Sequence, residues 1–282
     1  MGVDMLIILF LIISLLSTDT LYANTAYDPE SIWQDGYCVQ STARTPAADS
    51  KSIEAKLEGE WHSLDLVDFP PEFWQWNRFR RTEYLDVFRQ MMSSGKRQTP
   101  RLAGPHNGIV ASWGLARKDS FFKLNNAVKG SGFLPKAEKL AEITQLLESK
   151  MDSDMLTKLN VLDSLYQNAE DIFSPNQIVS LELYSEPGYN TQTFINQMYN
   201  PACVTVYLDI PSFKIKQIAR LLHPLDPNLN AYEKAVVRYV NLIHSFFHGD
   251  FPRDYIGVIY YNIEIYDNSP GVEDARGTKI SP

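Results

Sequence analysis

Two histidines four positions apart are candidates for metal chemistry. His244 and His248 lie on one face of a helix predicted from Ala231 to His248, and Asp250 follows that helix. Two imidazoles at this spacing reach one Zn²⁺, and a nearby carboxylate completes or orients the ligand set. Zinc peptidases of the H-E-x-x-H type have a Glu after the first His, where this chain has Ser245. We therefore expect either a zinc site of His244, His248 and Asp250, or a helix whose last histidine complements the helix dipole.

Tyrosines and carboxylates alternate with aliphatic residues along three predicted strands, residues 178–184, 203–210 and 255–266. With the aliphatic side chains in the core, the opposite face, here called the tyrosine–acid face, collects Glu182, Tyr184, Thr205, Tyr207, Asp209, Tyr260, Asn262, Glu264 and Tyr266. Tyrosine offers flat apolar area and a hydroxyl, and carboxylates accept hydrogen bonds, so this face suits a sugar or a peptide. Its candidate ligand-binding residues are Tyr184, Tyr207, Asp209, Tyr260 and Glu264.

Two alternatives stay open for this face. Carboxylates on neighbouring strands also suit glycoside hydrolysis, in which one acid donates a proton and the other attacks or activates water. In the other alternative, the helical part of the chain covers the face and the tyrosine hydroxyls are satisfied internally. We assign no catalytic residue, because the sequence contains neither a cofactor fingerprint nor a complete catalytic motif.

Basic residues concentrate on a helix predicted from Asp68 to Met92. The candidate anion-binding residues are Arg78, Arg81 and Arg89, and the same basic region includes Arg80, Lys96, Arg97 and Arg101. An arginine presents a fork of donors to a phosphate, an acidic glycan or an acidic protein surface. The alternative is a solvated helix face whose arginines pair with acids of the same chain.

Cys38 and Cys203 are the only cysteines in the sequence. An exported protein with two thiols often joins them, so we predict a disulfide between Cys38 and Cys203. The alternative is two unpaired thiols, with Cys203 a small buried residue. A catalytic role for Cys203 is not favoured, because its neighbours in the sequence provide no positive charge.

An apolar run from Met5 to Leu16 indicates export. The run is shorter than the about 20 residues that a spanning helix needs, and a small residue, Ala23, offers a cleavage position. No basic residue precedes the run, so an uncleaved membrane anchor is the alternative. We predict a periplasmic or secreted protein that contacts a membrane only if this segment is uncleaved. The formal net charge of −8 disfavours nucleic acid as a partner.

Hydrophobic periodicity predicts an α+β fold, in which a mainly helical N-terminal half packs on a small C-terminal sheet with helices. The predicted regions are a signal peptide (1–23), an extended polar arm (24–59), a helical region (60–173), an α+β region (174–268) and a flexible tail (269–282). Residues 99–114 are expected to be a connector and residues 119–128 a short helix. Residues 215–222 are expected to be a helix, because their apolar residues repeat at helical spacing.

These patterns favour an exported soluble binding or accessory protein that recognises a protein or glycan partner through the tyrosine–acid face. The alternative function is a secreted or periplasmic hydrolase, either metal-assisted or carboxylate-based. Apart from the zinc of the first hypothesis, we expect no cofactor.

Overall fold

The computed structural model describes residues 29–95, 103–271 and 277–281. The predicted signal peptide lies outside these ranges, as do three members of the basic region, Lys96, Arg97 and Arg101. Among the helices within these ranges, none combines the length and the apolar character that crossing a bilayer requires.

An antiparallel sheet of eight strands dominates the described part of the chain. Its strands are β5 (Asn107–Trp113), β6 (Leu124–Gly130), β7 (Gly132–Pro135), β8 (Phe173–Glu182), β9 (Ala202–Tyr207), β10 (Phe213–Leu222), β11 (Ile256–Asp267) and β12 (Thr278–Lys279). The strand order is β6-β5-β9-β10-β11-β8-β7, and β12 pairs with β11. The sheet is curled. Its curl brings Lys129 of the edge strand β6 to Glu182 of β8, a strand that is not its neighbour, with 2.6 Å between Nζ and Oε2. We call the face inside this curl the inner face.

The α-helices of the described residues surround this sheet. They are α1 (Pro71–Ser94), α2 (Leu140–Ser149), α3 (Met155–Gln167), α4 (Ala169–Ile172), α5 (Gln192–Tyr199) and α6 (Ala231–His248). The predicted bounds of α6 are confirmed. Asn230 and Glu233 form a reciprocal capping box at its start, and Gly249 follows its last residue with a positive φ. Local capping signals of this kind can be recognised without knowledge of the tertiary structure.

The predicted fold class is wrong, because the N-terminal half is not mainly helical. Strands β5, β6 and β7 occupy much of residues 107–135, where the sequence predicts a connector and a short helix. β6 pairs with β5 from Trp113 opposite Leu124 to Asn107 opposite Gly130. The asparagines and the glycine of β6 have low strand propensity, so cross-strand pairing overrides the local preference there.

Residues 215–222 are also strand, as part of β10, instead of the predicted helix. Ile215 and Ala219 are buried on the inner face, and Ile218 and Leu222 are buried on the opposite face. A strand that is covered on both faces is apolar at positions of both phases, so helical spacing alone does not distinguish it from a helix. The C-terminal strands therefore belong to a larger sheet that draws strands from both halves of the chain.

The polar N-terminal residues pack against this sheet. They contain two hairpins, β1 (Trp33–Gln34) with β2 (Tyr37–Cys38) and β3 (Ser52–Leu57) with β4 (Glu60–Asp65). Between the hairpins, the buried Gln40 amide donates to the carbonyls of Gln197 and Ala219, at 2.9 and 3.0 Å. Its oxygen accepts from the Leu221 amide at 2.9 Å. Gln40 thus joins an irregular segment to both α5 and β10.

Candidate ligand pocket

The inner members of the tyrosine–acid face are buried. Strand register places Tyr207 and Tyr260 on the inner face, where they are 1% and 2% exposed. The rings of Phe73 and Trp76 from α1 pack on Tyr207, and Gln197 of α5 donates to the Tyr260 hydroxyl at 3.3 Å. Burial raises the pKa of Tyr207 to about 12. A sugar or a peptide therefore has no access to these two tyrosines in this structure.

A β-bulge separates Glu264 from the inner face. The pairing of β10 with β11 shifts between Lys216 and Gln217, where Ile263 has no direct partner. One extra residue reverses the alternation of the side chains, so Glu264 points to the outer face and contacts Lys216 at 2.5 Å. Tyr184 lies beyond the end of β8 and is 68% exposed. Neither residue shares a surface with the two buried tyrosines.

Asp209 follows β9 and is held by two side chains of α1. Arg80 contacts both carboxylate oxygens, with 2.7 Å from Nε to Oδ2 and 2.9 Å from Nη2 to Oδ1, and Trp76 Nε1 donates to Oδ2 at 3.0 Å. Burial would raise the pKa of Asp209, but hydrogen bonds from Trp76, from the Ile210 amide and from Arg80 outweigh burial and lower it. Asp209 is therefore an ionised carboxylate that is already paired.

A pocket of about 350 Å³ lies between α1, α3, α6 and the loops that precede β5 and follow β6. We call it the α1–α6 pocket. Its apolar lining includes Tyr84, Val87, Phe88, Leu162, Ile243 and Phe247, and its polar lining includes Arg80, Arg81, His106, Asp209, His244 and His248. The Phe88 ring contacts the rings of Tyr84 and Phe247 edge-to-face, with 4.9 and 5.0 Å between centroids. The aromatic part of the lining is therefore a packed cluster.

Three histidines meet at this pocket. The centroid of the His248 ring lies 6.2 Å from that of His106 and 6.5 Å from that of His244. His106 comes from the loop before β5, whereas the other two come from the end of α6. His244 Nδ1 lies 2.9 Å from the Val240 carbonyl, which assigns the ring proton to Nδ1 and leaves Nε2 as an acceptor in the neutral ring.

Burial favours the neutral form of all three rings. It lowers the pKa of His106 to about 3, and the positive charge of Arg81 acts in the same direction. Burial also lowers the pKa of His244, against the hydrogen bond to Val240, and the pKa of His248. A neutral imidazole has one donor and one acceptor, so these rings are able to orient a polar group of either kind.

Arg81 is a buried cation that has no carboxylate partner among the described residues. It is 7% exposed. Its Nε donates to Asn77 Oδ1 at 2.7 Å, and Nη2 donates to the carbonyls of Ser131 and Pro105 at 2.8 and 3.3 Å. Nη1 donates to the Tyr166 hydroxyl over a longer distance, 3.4 Å. All these acceptors are neutral, and the faces of the Phe133 and Tyr166 rings lie 5.3 and 5.0 Å from Cζ. Hydrogen bonds and aromatic rings therefore offset part of the cost of burial, but no negative charge balances the guanidinium among the described residues.

The structure separates the predicted zinc ligands. His244 and His248 line the α1–α6 pocket, whereas Asp250 lines a different cleft together with Asn241 and Arg253. Within the described ranges, no group of three or more His, Cys, Asp or Glu side chains is arranged to hold a metal ion.

The three predicted anion-binding arginines have different environments. Arg78 is exposed on α1. Arg89 contacts Asp86 at 2.7 Å and Asp163 of α3 at 2.9 Å, so acids of the same chain occupy it. Of the three, Arg81 is the one that lines the pocket.

Both cysteines are unpaired thiols, and the predicted disulfide is absent from the structure. Cys38 on β2 is 3% exposed and Cys203 on β9 is 5% exposed. Burial raises the pKa of Cys38 to about 12 and raises that of Cys203 as well. Neither residue is therefore a reactive thiolate.

The sequence interpretation missed His106 and Tyr166 as pocket residues. His106 follows Gly104-Pro105 in the predicted connector, and Tyr166 belongs to the apolar stripe of a predicted helix. A histidine beside Gly and Pro is only a weak signal of a binding site, since the tertiary fold alone brings it to α6.

No protein-family model matches this chain, and no curated protein is significantly similar to it.

Proposed function

We propose that this chain is a binding protein for a small organic anion with an apolar body, held in the α1–α6 pocket. The observation that carries this proposal is the buried Arg81, which lines an otherwise largely aromatic and aliphatic pocket and has no carboxylate partner among the described residues. A carboxylate, sulfonate or phosphate of the ligand would supply the missing charge.

The size and lining of the pocket support a small-molecule ligand. Ligand pockets typically have volumes of about 300–1,000 Å³, apolar walls and a few convergent polar groups. The α1–α6 pocket, at about 350 Å³, lies in the lower part of that range. Titratable residues with shifted pKa values also concentrate at binding sites, and His106, His244 and His248 are such residues here.

The donor geometry of Arg81 supports an anionic group. Nη1 carries two hydrogens, and the described residues give it one long hydrogen bond, to Tyr166. The other guanidinium nitrogens are held by Asn77, Ser131 and Pro105, which fixes the orientation of the fork. A fixed guanidinium needs no reorganisation when it binds an oxyanion.

The test uses two fluorescent probes of similar apolar size, 1-anilinonaphthalene-8-sulfonate and the uncharged N-phenyl-1-naphthylamine. We expect Arg81→Gln to weaken binding of the sulfonate by about tenfold or more, because a hydrogen bond to a charged group is lost. Binding of the uncharged probe should change much less. The matched control is Arg78→Gln, which removes an exposed arginine from the same helix and should affect neither probe.

A second pair of variants keeps the test informative if Arg81→Gln unfolds the protein. Val87→Trp places a large ring in the apolar lining and should weaken binding of both probes. Val128→Trp adds the same ring at a position that is 65% exposed and should leave both affinities unchanged. Equal sulfonate affinity in wild type and Arg81→Gln, or unchanged binding in Val87→Trp, would contradict the proposal.

Export and zinc binding are further proposals that depend on direct measurements. Export predicts a mature protein that begins near Asn24, which N-terminal sequencing of the secreted or periplasmic protein tests. Zinc binding through His244 and His248 predicts metal in protein prepared without a His tag. For the hydrolase alternative, the carboxylates of the tyrosine–acid face are already paired with cations, because Asp209 contacts Arg80, Glu182 contacts Lys129 and Glu264 contacts Lys216.

A further inference from the structure

The loop between β5 and β6 carries a cluster of exposed large apolar side chains. We call this cluster the hairpin tip, and it consists of Trp113 (49% exposed), Phe121 (92%), Phe122 (74%) and Leu124 (69%). Trp113 and Leu124 are a cross-strand pair at the base of the loop, and the rings of Phe121 and Phe122 lie 6.0 Å apart between centroids. Isolated exposed apolar residues are normal, but such a cluster generally marks an interaction site.

Helix α5 holds the base of this loop in place. Gln192 Nε2 donates to the Leu115 carbonyl at 2.6 Å, and Asn196 Nδ2 donates to the Lys123 carbonyl at 2.7 Å. A Cβ at Gly114 would lie only 2.8 Å from Asn196 Cα, so this close approach requires glycine. The base is thus fixed on the protein while the phenylalanines extend away from it.

Cations flank the exposed rings. Arg117, Lys118 and Lys123 lie in the same loop with a single carboxylate, Asp119, although the whole protein has a formal net charge of −8. Arg117 contacts both oxygens of Asp119, at 2.8 Å each, and Lys123 is exposed. At a bilayer surface, aromatic rings lie near the boundary between headgroups and acyl chains, and lysine and arginine contact the anionic headgroups. The hairpin tip and its flanking cations have both kinds of side chain.

The N-terminal side of the described chain also packs on helix α5. Trp33 stacks on Phe194 of α5, with 5.5 Å between centroids, and its indole nitrogen donates to Asn190 at 2.9 Å. The apolar run Met5–Leu16 precedes Trp33 in the sequence. Helix α5, which holds the base of the loop, therefore also contacts Trp33, a residue that follows the apolar run in the sequence.

We propose that the hairpin tip contacts a lipid bilayer that contains anionic lipid, with Phe121 and Phe122 inserted between the headgroups. A protruding group of four side chains is small for a specific protein interface, which buries about 800 Å² on each partner, but it suffices for reversible partition into a lipid interface. This inference is independent of the ligand in the α1–α6 pocket.

The experiment measures cosedimentation of the full chain with vesicles of phosphatidylcholine, with and without phosphatidylglycerol. We expect binding that increases with phosphatidylglycerol and decreases at least about tenfold in the double variant F121S/F122S, since burial of a phenylalanine makes a contribution of this order. The matched control is Phe79→Ser, which removes a 61% exposed phenylalanine from α1 and should not change partition. Lys123→Gln should weaken binding only to the anionic vesicles.

The N-terminal apolar run is present in every variant, so differences among the variants report on the hairpin tip alone. Absence of wild-type binding to both vesicles, equal partition of wild type and F121S/F122S, or an equal loss in Phe79→Ser would overturn the proposal. The double variant should bind both naphthalene probes like wild type, which distinguishes failure of this proposal from failure of the pocket proposal.

Discussion

Lys129 and Glu182 form a buried ion pair between β6 and β8, two strands that are not hydrogen-bonded neighbours. The two side chains are 11% and 2% exposed. Replacing Lys129 by Met leaves the Glu182 carboxylate with Ser185 Oγ at 3.2 Å and the Tyr184 amide at 3.4 Å as its remaining donors. A buried charge without its partner costs about 3–5 kcal/mol, so we expect Lys129→Met to lower the free energy of unfolding by about that amount.

Urea unfolding of a double-mutant cycle tests this magnitude. Replacing both partners, K129M/E182Q, removes both charges while Gln keeps an acceptor for Ser185, so most of the loss should be recovered. The exposed pair Arg44–Glu54, also 2.6 Å apart, is the control, and Glu54→Gln should cost less than about 1 kcal/mol. If Lys129→Met costs no more than Glu54→Gln, or the double variant is as unstable as the single one, the argument from burial is refuted.

Two further predictions concern buried titratable groups. Burial lowers the pKa of His106 from 6.5 to about 3, so between these values the unfolded chain binds a proton that the native state does not. Stability should therefore fall as the pH decreases below about 6.5 and level off near 3, with a total contribution on the order of 5 kcal/mol. In unfolding free energies measured from pH 7 down to about pH 4, wild type should lose stability relative to His106→Gln as the pH falls; parallel curves would argue against a neutral ring in the native state. The two buried cysteines should react slowly with a thiol reagent in the native protein, and both should react in urea without reductant. An intact mass two hydrogens lower would instead indicate a disulfide.

Helix α6 was predicted correctly, because its signals are local. It begins with a capping box and ends before a glycine. Strand β10 lacks such a signal, because both of its faces are buried and its apolar residues fit two periodicities. Strand β6 forms through pairing with β5, a nonlocal interaction that propensity does not describe.

The site was less accessible to prediction than the fold. His244 and His248 were correctly placed on one helix face, but the residue that joins them, His106, lies far away in the sequence. Alternation correctly predicted that Tyr207 and Tyr260 share one face of the sheet. It does not reveal that helices cover this face and bury both side chains. A single bulge residue, Ile263, then reversed the phase for Glu264.

The hydrogen bonds of Gln40 bear on how the ends of this protein can be altered. Deleting the chain up to this residue would leave the amide of Leu221 and the carbonyls of Gln197 and Ala219 in the interior without their acceptor and donor. Irregular N-terminal backbone is commonly trimmed from recombinant versions of a protein. Here such trimming would leave three buried backbone groups without a hydrogen-bond partner. A shortened version that keeps the native state should therefore start upstream of Gln40.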